Sequence, residues 1–368
     1  MNKLLYYTIV IGIVWSFSSC KKMDSIYEEY IVPNGYTYPG KALNPIVYAG
    51  KNRVKISWLH GSDRSVIKAR IFWNNYTDSV EIDISGGKDT ISHILENLPE
   101  NTYSFFIKTY DKDGNVSIPV EVIGTAYGEI YEAGLSNRSI SSAIRSEMGL
   151  SLKWGGIDTT AAYATEVRYT DTNGKIQNLN TSAKESTSSI TEIKDGTTVQ
   201  YRTIYIPNNS LSIDTFYTGF QEISEYFLDK KNWRVINFST QHDAGVNGVK
   251  NFIDGTDATR WHSRAGGSSY PHFATIDMGV ERTVTQFGVW RTTFENGGDS
   301  RAPNKIQLLV SVDNTTWIDL GIFDFNRFIN GEQFYPVSPQ QKARFFKFVA
   351  VQGPENNLVM GEISVYGL

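Results

Sequence analysis

Val54-Lys55-Ile56-Ser57-Trp58 places an apolar side chain on every second residue, and Leu150-Ser151-Leu152-Lys153-Trp154 repeats the figure about a hundred residues later. A period of two puts the apolar groups on one face of an extended strand. Around the first copy the same alternation recurs in Ala69-Arg70-Ile71-Phe72-Trp73, Val80-Glu81-Ile82-Asp83-Ile84 and Tyr103 to Tyr110. Turn-forming groups separate these runs: His60-Gly61-Ser62-Asp63, Gly86-Gly87-Lys88-Asp89 and Asp111-Lys112-Asp113-Gly114-Asn115. Around the second copy, Thr165-Glu166-Val167-Arg168-Tyr169 and Gly196 to Thr203 echo the earlier strands. Short strands at this spacing predict antiparallel sandwiches, one over 45–128 and a second over 129–222. Trp58 and Trp154 lie inside alternating strands, which makes them core residues rather than exposed platforms for sugar rings.

Both copies resemble fibronectin type III repeats. The early tryptophan, the Leu98-Pro99-Glu100-Asn101-Thr102-Tyr103 run and the Asp113-Gly114-Asn115-Val116-Ser117 turn carry the likeness. The pair is also similar to an uncharacterised N-terminal region common in Bacteroidota lipoproteins. After it, Glu222 to Lys231 is charged and mixed, and reads as a linker with a helical turn.

The N-terminus has the parts of an export signal. Lys3 gives a positive start, Leu4 to Phe17 an apolar run too short to span a bilayer as a helix, and Ser18-Ser19 a small-residue site before Cys20. Phe17-Ser18-Ser19-Cys20 resembles a lipobox, which implies a signal over 1–19, acylation of Cys20 and a membrane partner held through lipid. Cys20 is the single cysteine, so the chain has no disulfide framework and depends on ordinary cores. Residues 20–44 are polar, with scattered Tyr, Pro and Gly, and read as a tether. The 368 residues are 40% hydrophobic, ample for several cores, and a net charge of −4 gives no footprint for nucleic acid.

The last part of the chain is the most specific. Asn251-Phe252-Ile253-Asp254-Gly255-Thr256-Asp257-Ala258-Thr259-Arg260-Trp261-His262-Ser263 is followed by Tyr270-Pro271-His272, Ile276-Asp277-Met278-Gly279, Gln286-Phe287-Gly288-Val289-Trp290-Arg291, Val310-Ser311-Val312-Asp313-Asn314-Thr315-Thr316-Trp317, Arg344-Phe345-Phe346-Lys347-Phe348 and Gly361-Glu362-Ile363-Ser364-Val365-Tyr366-Gly367. In this order the set resembles the discoidin family, also called coagulation factor V/VIII C-type, whose bacterial members include family 32 carbohydrate-binding modules. The fold expected for the whole chain is therefore all-β: two immunoglobulin/fibronectin III-like sandwiches, then a discoidin-like jelly-roll β-sandwich over 223–368. Trp261, Trp317 and Phe346 are expected in its core.

The resemblance implies two sites. One is a structural calcium held by the carbonyl of Asn251, Asp254, Thr256, Thr259, the carbonyl of Gly361 and Glu362. Calcium takes six to eight oxygens. The sequence departs at Thr256, where the family more often has Asp or Asn, and the alternative is a metal-free turn in which Asp254 bonds local amides. The other site is a ligand surface in the strand-connecting loops, with Arg291, Phe294, Tyr270, Arg264, His242, Asn296 and Asn356 as candidates. Arginine and asparagine offer fixed donors to sugar hydroxyls, and an aromatic ring can face the C–H side of a pyranose. Arg301 lies in the same loops, while His262 is ambiguous and His272 starts a strand.

No Gly-x-Ser-x-Gly elbow, zinc-binding His-Glu-x-x-His or phosphate loop occurs, so no catalytic residue is assigned. The expectation is an outer-membrane lipoprotein, facing either the cell surface or the periplasm, that binds a glycan. The chain resembles accessory lipoproteins that work beside an outer-membrane glycan importer. The alternatives are an adhesion protein that grips a protein or lipid head group, and a structural component of the envelope.

Overall fold

The computed structural model describes Val32 and residues 35–207, 211–295 and 297–368. Cys20, the export signal and Asn296 lie outside the described residues. Among the described residues the chain is all-β apart from short helical turns, and it divides into two compact units, Met1–Gly128 and Glu129–Leu368. Among the described residues no helix is long and apolar enough to cross a membrane.

In the first unit Leu43–Lys51, Val54–Leu59 and Thr90–Leu95 pair in one layer. Asp78–Asp83, Val66–Trp73, Asn101–Asp111 and Val120–Tyr127 form the other. Val54, Ile56 and Trp58 all point inward and share a core with Ile71, Phe105 and Ile107. The Tyr103 hydroxyl donates to the Pro99 carbonyl at 2.8 Å, the tyrosine corner of immunoglobulin-like sandwiches.

The second unit opens with another sandwich. Ile140–Ser146, Gly149–Trp154 and Thr187–Ile190 form one sheet, and Ala162–Thr170, Ile176–Ser182 and Val199–Tyr205 the other. Trp154 is buried, and its Nε1 donates to Ser188 Oγ at 2.7 Å. Both repeat tryptophans are thus core residues.

The C-terminal sandwich is organised by two long strands, His272–Trp290 and Gln333–Gln352, which pair along most of their length. Lys305–Ser311 and Ile318–Asp324 extend one side, and Glu362–Gly367 pairs with the other edge of His272–Trp290. Phe252, Trp261, Phe287, Phe346 and Phe348 are completely buried in its core. Trp317 is not among them. It follows the Asp313–Asn314 turn, is only half-buried, and has Lys347 Nζ 5.0 Å from its ring centroid.

The segment read as a linker with a helical turn is instead a strand that fuses two sandwiches. Tyr226–Leu228 runs parallel to Ile140–Ser146 (Phe227 opposite Ile144) and antiparallel to Glu362–Gly367 (Phe227 opposite Tyr366). One ten-stranded sheet therefore passes from the second sandwich into the C-terminal one. Tyr226 and Leu228 face inward, and the charged residues on either side mask this short alternation in the sequence. Leu368 packs into the core of the second sandwich with Leu150, Trp154 and Tyr201. Arg282 fastens the same seam, donating to Asp195 Oδ1 and to the Ser146 carbonyl, both at 3.2 Å.

Candidate functional site: a charged loop cluster beside an exposed phenylalanine

The loops at one end of the C-terminal sandwich are held by a short two-stranded ladder, Trp261–His262 against Val359–Met360. Trp261 fills the core below, and its Nε1 donates to the Thr240 carbonyl at 2.9 Å. That bond pins the loop carrying His242, whose backbone N–H donates to the His262 carbonyl at 2.8 Å. Thr292 Oγ1 donates to the Thr259 carbonyl at 2.6 Å and accepts from the Phe294 N–H at 3.0 Å, which fixes the start of the next loop.

Above this frame sits an alternating set of charges. Asp299 is buried and takes the Arg301 guanidinium side-on, with Nε to Oδ1 at 2.9 Å and Nη2 to Oδ2 at 2.5 Å. Glu295 accepts from Arg301 Nη2 at 3.4 Å and also pairs with Arg260. Arg260 donates through Nε to Asn247 Oδ1 at 2.6 Å and lies 4.6 Å over the Phe294 ring. Phe294 stays 43% exposed, a flat apolar face beside the charges.

His262 completes the set. Its Nδ1 faces the Ser263 carbonyl, and its Nε2 lies 3.3 Å from Arg301 Nη1. Arginine can only donate, so Nε2 must accept and Nδ1 must carry the proton. The imidazole is thereby fixed neutral in one tautomer. Its pKa is held below the ordinary histidine value, first by burial and then by the positive charges of Arg301 and Arg260, although the Ser263 carbonyl acts in the opposite sense. His242 accepts from the Ala265 N–H through Nδ1 at 3.3 Å, which leaves Nε2 as a donor on an exposed ring.

The sign of the resulting pH effect follows from linkage. The unfolded chain binds a proton at His262 more readily than the folded one, so the stability present above about pH 6.5 is lost as the pH falls below it. His93 and His272 are also depressed by burial and add in the same direction. Thermal melts are expected to weaken between about pH 7 and pH 5, and less steeply in His262→Gln. An unchanged slope in that variant would remove His262 from the account.

The other candidates divide by role. Arg291 is a strut between loops: Nε donates to Asn330 Oδ1 at 2.6 Å and Nη1 to the Arg327 carbonyl at 2.9 Å. A side chain at Gly298 would run into its Nη2. Tyr270 is a clamp, packed over Gly353 and stacked edge-on to His272 at 4.9 Å, with its hydroxyl donating to the Asn357 carbonyl at 3.4 Å. Asn356 is exposed, and its carbonyl faces His272 Nε2 at 2.8 Å. Arg264 is exposed next to the His242 loop. Asp299, Glu295 and Arg260 were missed by sequence reasoning. Two acids, Glu295 and Asp299, six and two residues before Arg301, were the available signal.

Several of the oxygens expected to hold calcium bond to one another. Thr259 Oγ1 lies 3.4 Å from the Asn251 carbonyl and 2.8 Å from Asp254 Oδ2, so part of a cage is present. Thr256, the departure from the family pattern, contributes its carbonyl at 3.3 Å from the same hydroxyl. Gly361 joins the set only through its backbone, and its N–H donates to the Trp290 carbonyl at 3.1 Å. Glu362, the charged ligand that should close the shell, is already saturated. Its Oε2 accepts from the Gly255 and Thr256 N–H groups at 2.7 and 3.0 Å, and its Oε1 accepts from Lys230 Nζ at 2.5 Å and from the Ile363 N–H at 3.0 Å. As arranged, the residues do not fit a calcium ion.

Family models match two parts of the chain. Residues 20–216 match a domain of unknown function, DUF4998, and residues 235–362 match the F5/8 type C domain. No curated protein matches the chain. Among solved structures, the C-terminal domain of a chitobiase from Bacteroides fragilis is 26% identical, covering 39% of this chain and 97% of that one with a TM-score of 0.35. The family 32 carbohydrate-binding module of Clostridium perfringens NanJ, solved with galactose, is 19% identical over 39% of this chain and 98% of that one, with a TM-score of 0.34. Another Clostridium perfringens module, solved with GalNAc-β-1,3-galactose, is 20% identical over 38% of this chain and 98% of that one, also at 0.34. With more than half its length matched across both N-terminal sandwiches, the chain belongs to the DUF4998 family, and its C-terminal sandwich is an F5/8 type C domain.

Proposed function

We propose that this chain binds carbohydrate at the loop end of its C-terminal sandwich, and that Cys20 ties it by lipid to the outer membrane with the binding domain outward. The observation that carries the reading is Arg301, oriented by buried Asp299 and neutral His262 and paired with Glu295, which follows the exposed Phe294 whose ring lies under Arg260. A guanidinium held in one plane keeps its remaining Nη1 N–H in a fixed direction for a sugar hydroxyl, and the ring offers a face to the C–H side of a sugar. Arg260 and Arg301 are already paired with Glu295 and Asp299, which suits a neutral sugar better than a uronate or phosphate. The F5/8 type C assignment of residues 235–362 supports the same conclusion.

The acids and the histidine here are engaged in ion pairs or fixed hydrogen bonds, which suits recognition rather than proton transfer. The N-terminal sandwiches serve as a spacer in this reading. Many tethered copies raise the weak affinity of one module, and an outer-membrane glycan importer is the natural receiver.

A glycan-array screen of the chain lacking residues 1–19 tests the reading. Arg301→Ala and Phe294→Ala are each expected to weaken binding about tenfold or more, the scale of a charge-assisted hydrogen bond or a stacked ring. Arg291→Ala is expected to act more weakly, through loop order. Unchanged binding in both Arg301→Ala and Phe294→Ala would refute the site. A second reading has one observation in its favour: Phe328 and Ile329, 64% and 48% exposed, form an apolar tip beside Arg327. Vesicle binding that survives Arg301→Ala and is lost in Phe328→Asp would favour contact with lipid.

A further inference from the structure

Lys230 follows the strand that fuses the two sandwiches, and neither family match reaches it: one ends at 216 and the other begins at 235. Its side chain is 9% exposed and that of Glu362 only 4%, yet their charged atoms meet at 2.5 Å. The rings of Phe227 and Trp233 have their centroids 5.5 and 5.7 Å from the same ammonium. The carboxylates of Glu332 and Asp254 add to the negative field around it.

We propose that the Lys230 ammonium stands in for the structural calcium of this domain, so that its Asp254 turn is held by a cation belonging to the chain itself. A calcium ion bound to Glu362 Oε1 would lie about 2.4 Å from that oxygen. Lys230 Nζ is bonded to the same oxygen, so two cations would compete for one atom in a dry site. The lysine can leave only by breaking a buried ion pair and withdrawing from two aromatic rings. With the lysine in place, the carboxylate links three things: the ammonium, the Gly255 and Thr256 amides of the turn, and the Ile363 amide of its own strand. A monovalent cation suffices because Asp254 is satisfied by neutral donors, the Thr256 N–H at 3.1 Å and the Thr259 hydroxyl. The domain thereby becomes independent of the metal, and dependent on a residue outside its family boundary.

The test is metal analysis and thermal melting of the purified chain, with calcium or with EDTA. The wild type is expected to retain no stoichiometric calcium after dialysis, and to melt at the same temperature in millimolar calcium and in EDTA. Lys230→Met leaves Glu362 Oε1 without its cation, and is expected to melt lower and to regain several degrees on adding calcium. Lys230→Gln serves the same purpose if the methionine variant does not fold. One calcium retained per wild-type chain, or a fall of several degrees in EDTA, overturns the proposal. So does a Lys230→Met protein that melts like the wild type in EDTA, because the lysine would then hold nothing.

Discussion

A chain cut to begin at Trp233, just short of the F5/8 type C match, is expected to lose most of its stability. Three supports disappear together. Glu362–Gly367 loses its pairing with Tyr226–Leu228 and becomes an open edge. The buried side chain of Leu228 is removed from the core. Glu362 keeps its burial and loses its countercharge. Removing one partner of a buried pair costs about 3–5 kcal/mol, and losing a buried leucine about 1.5–3 kcal/mol. Together these approach the roughly 5–15 kcal/mol that stabilises an ordinary domain. Urea unfolding of residues 233–368 beside residues 129–368 measures the effect. The longer fragment should unfold in one cooperative step, and the shorter should be partly unfolded or aggregated without denaturant. Equal midpoints would mean that the fused sheet adds nothing to the C-terminal sandwich.

Trp261→Ala is the single substitution expected to do most harm. The indole is fully buried between Phe252 and Phe348, with ring centroids 5.6 and 6.5 Å away. Truncating such a side chain costs about 3–5 kcal/mol through lost burial and the cavity left behind. The Thr240 carbonyl also loses its donor, so the loop carrying His242 is released from below. Melting should fall by roughly ten degrees, and glycan binding should weaken even at temperatures where the variant is folded. Trp261→Phe separates the two effects: it keeps most of the packing and loses the Nε1 bond, so it should cost about 1–2 kcal/mol and still disturb binding. If Trp261→Phe binds as well as wild type, the indole acts through packing alone.

Much of this architecture can be read from local pattern. Val54 to Trp58 and Leu150 to Trp154 alternate because one face meets a core, and both tryptophans are found there. The ordered series from Asn251 to Gly367 identified the last domain because its turns and strands recur at family spacing. What escaped is long-range. Tyr226–Leu228 is three residues long, and its partners Ile144 and Tyr366 lie far away in sequence on either side. Lys230 finds Glu362 across 132 positions. In the loops, Arg291 and Arg301 look alike as sequence. Only the approach of Arg327 and Asn330 ties the first to a neighbouring loop, and only buried Asp299 and Glu295 tie the second into an ion-pair cluster. The lone Trp317 follows a turn, and the alternation that places a side chain inside or outside breaks down there.

The fused sheet also bears on how this chain could change its specificity. A binding module joined by a flexible bead can be exchanged whole, because the cut severs nothing. Here any cut near residue 230 passes through a sheet, a buried ion pair and the core of the neighbouring sandwich. A foreign domain grafted at that point would need to supply an edge strand matched to Ile140–Ser146 and an acid positioned for Lys230. New recognition is therefore open to this chain by rewriting the loops at 264–271, 292–304 and 326–331, with the domain itself left in place.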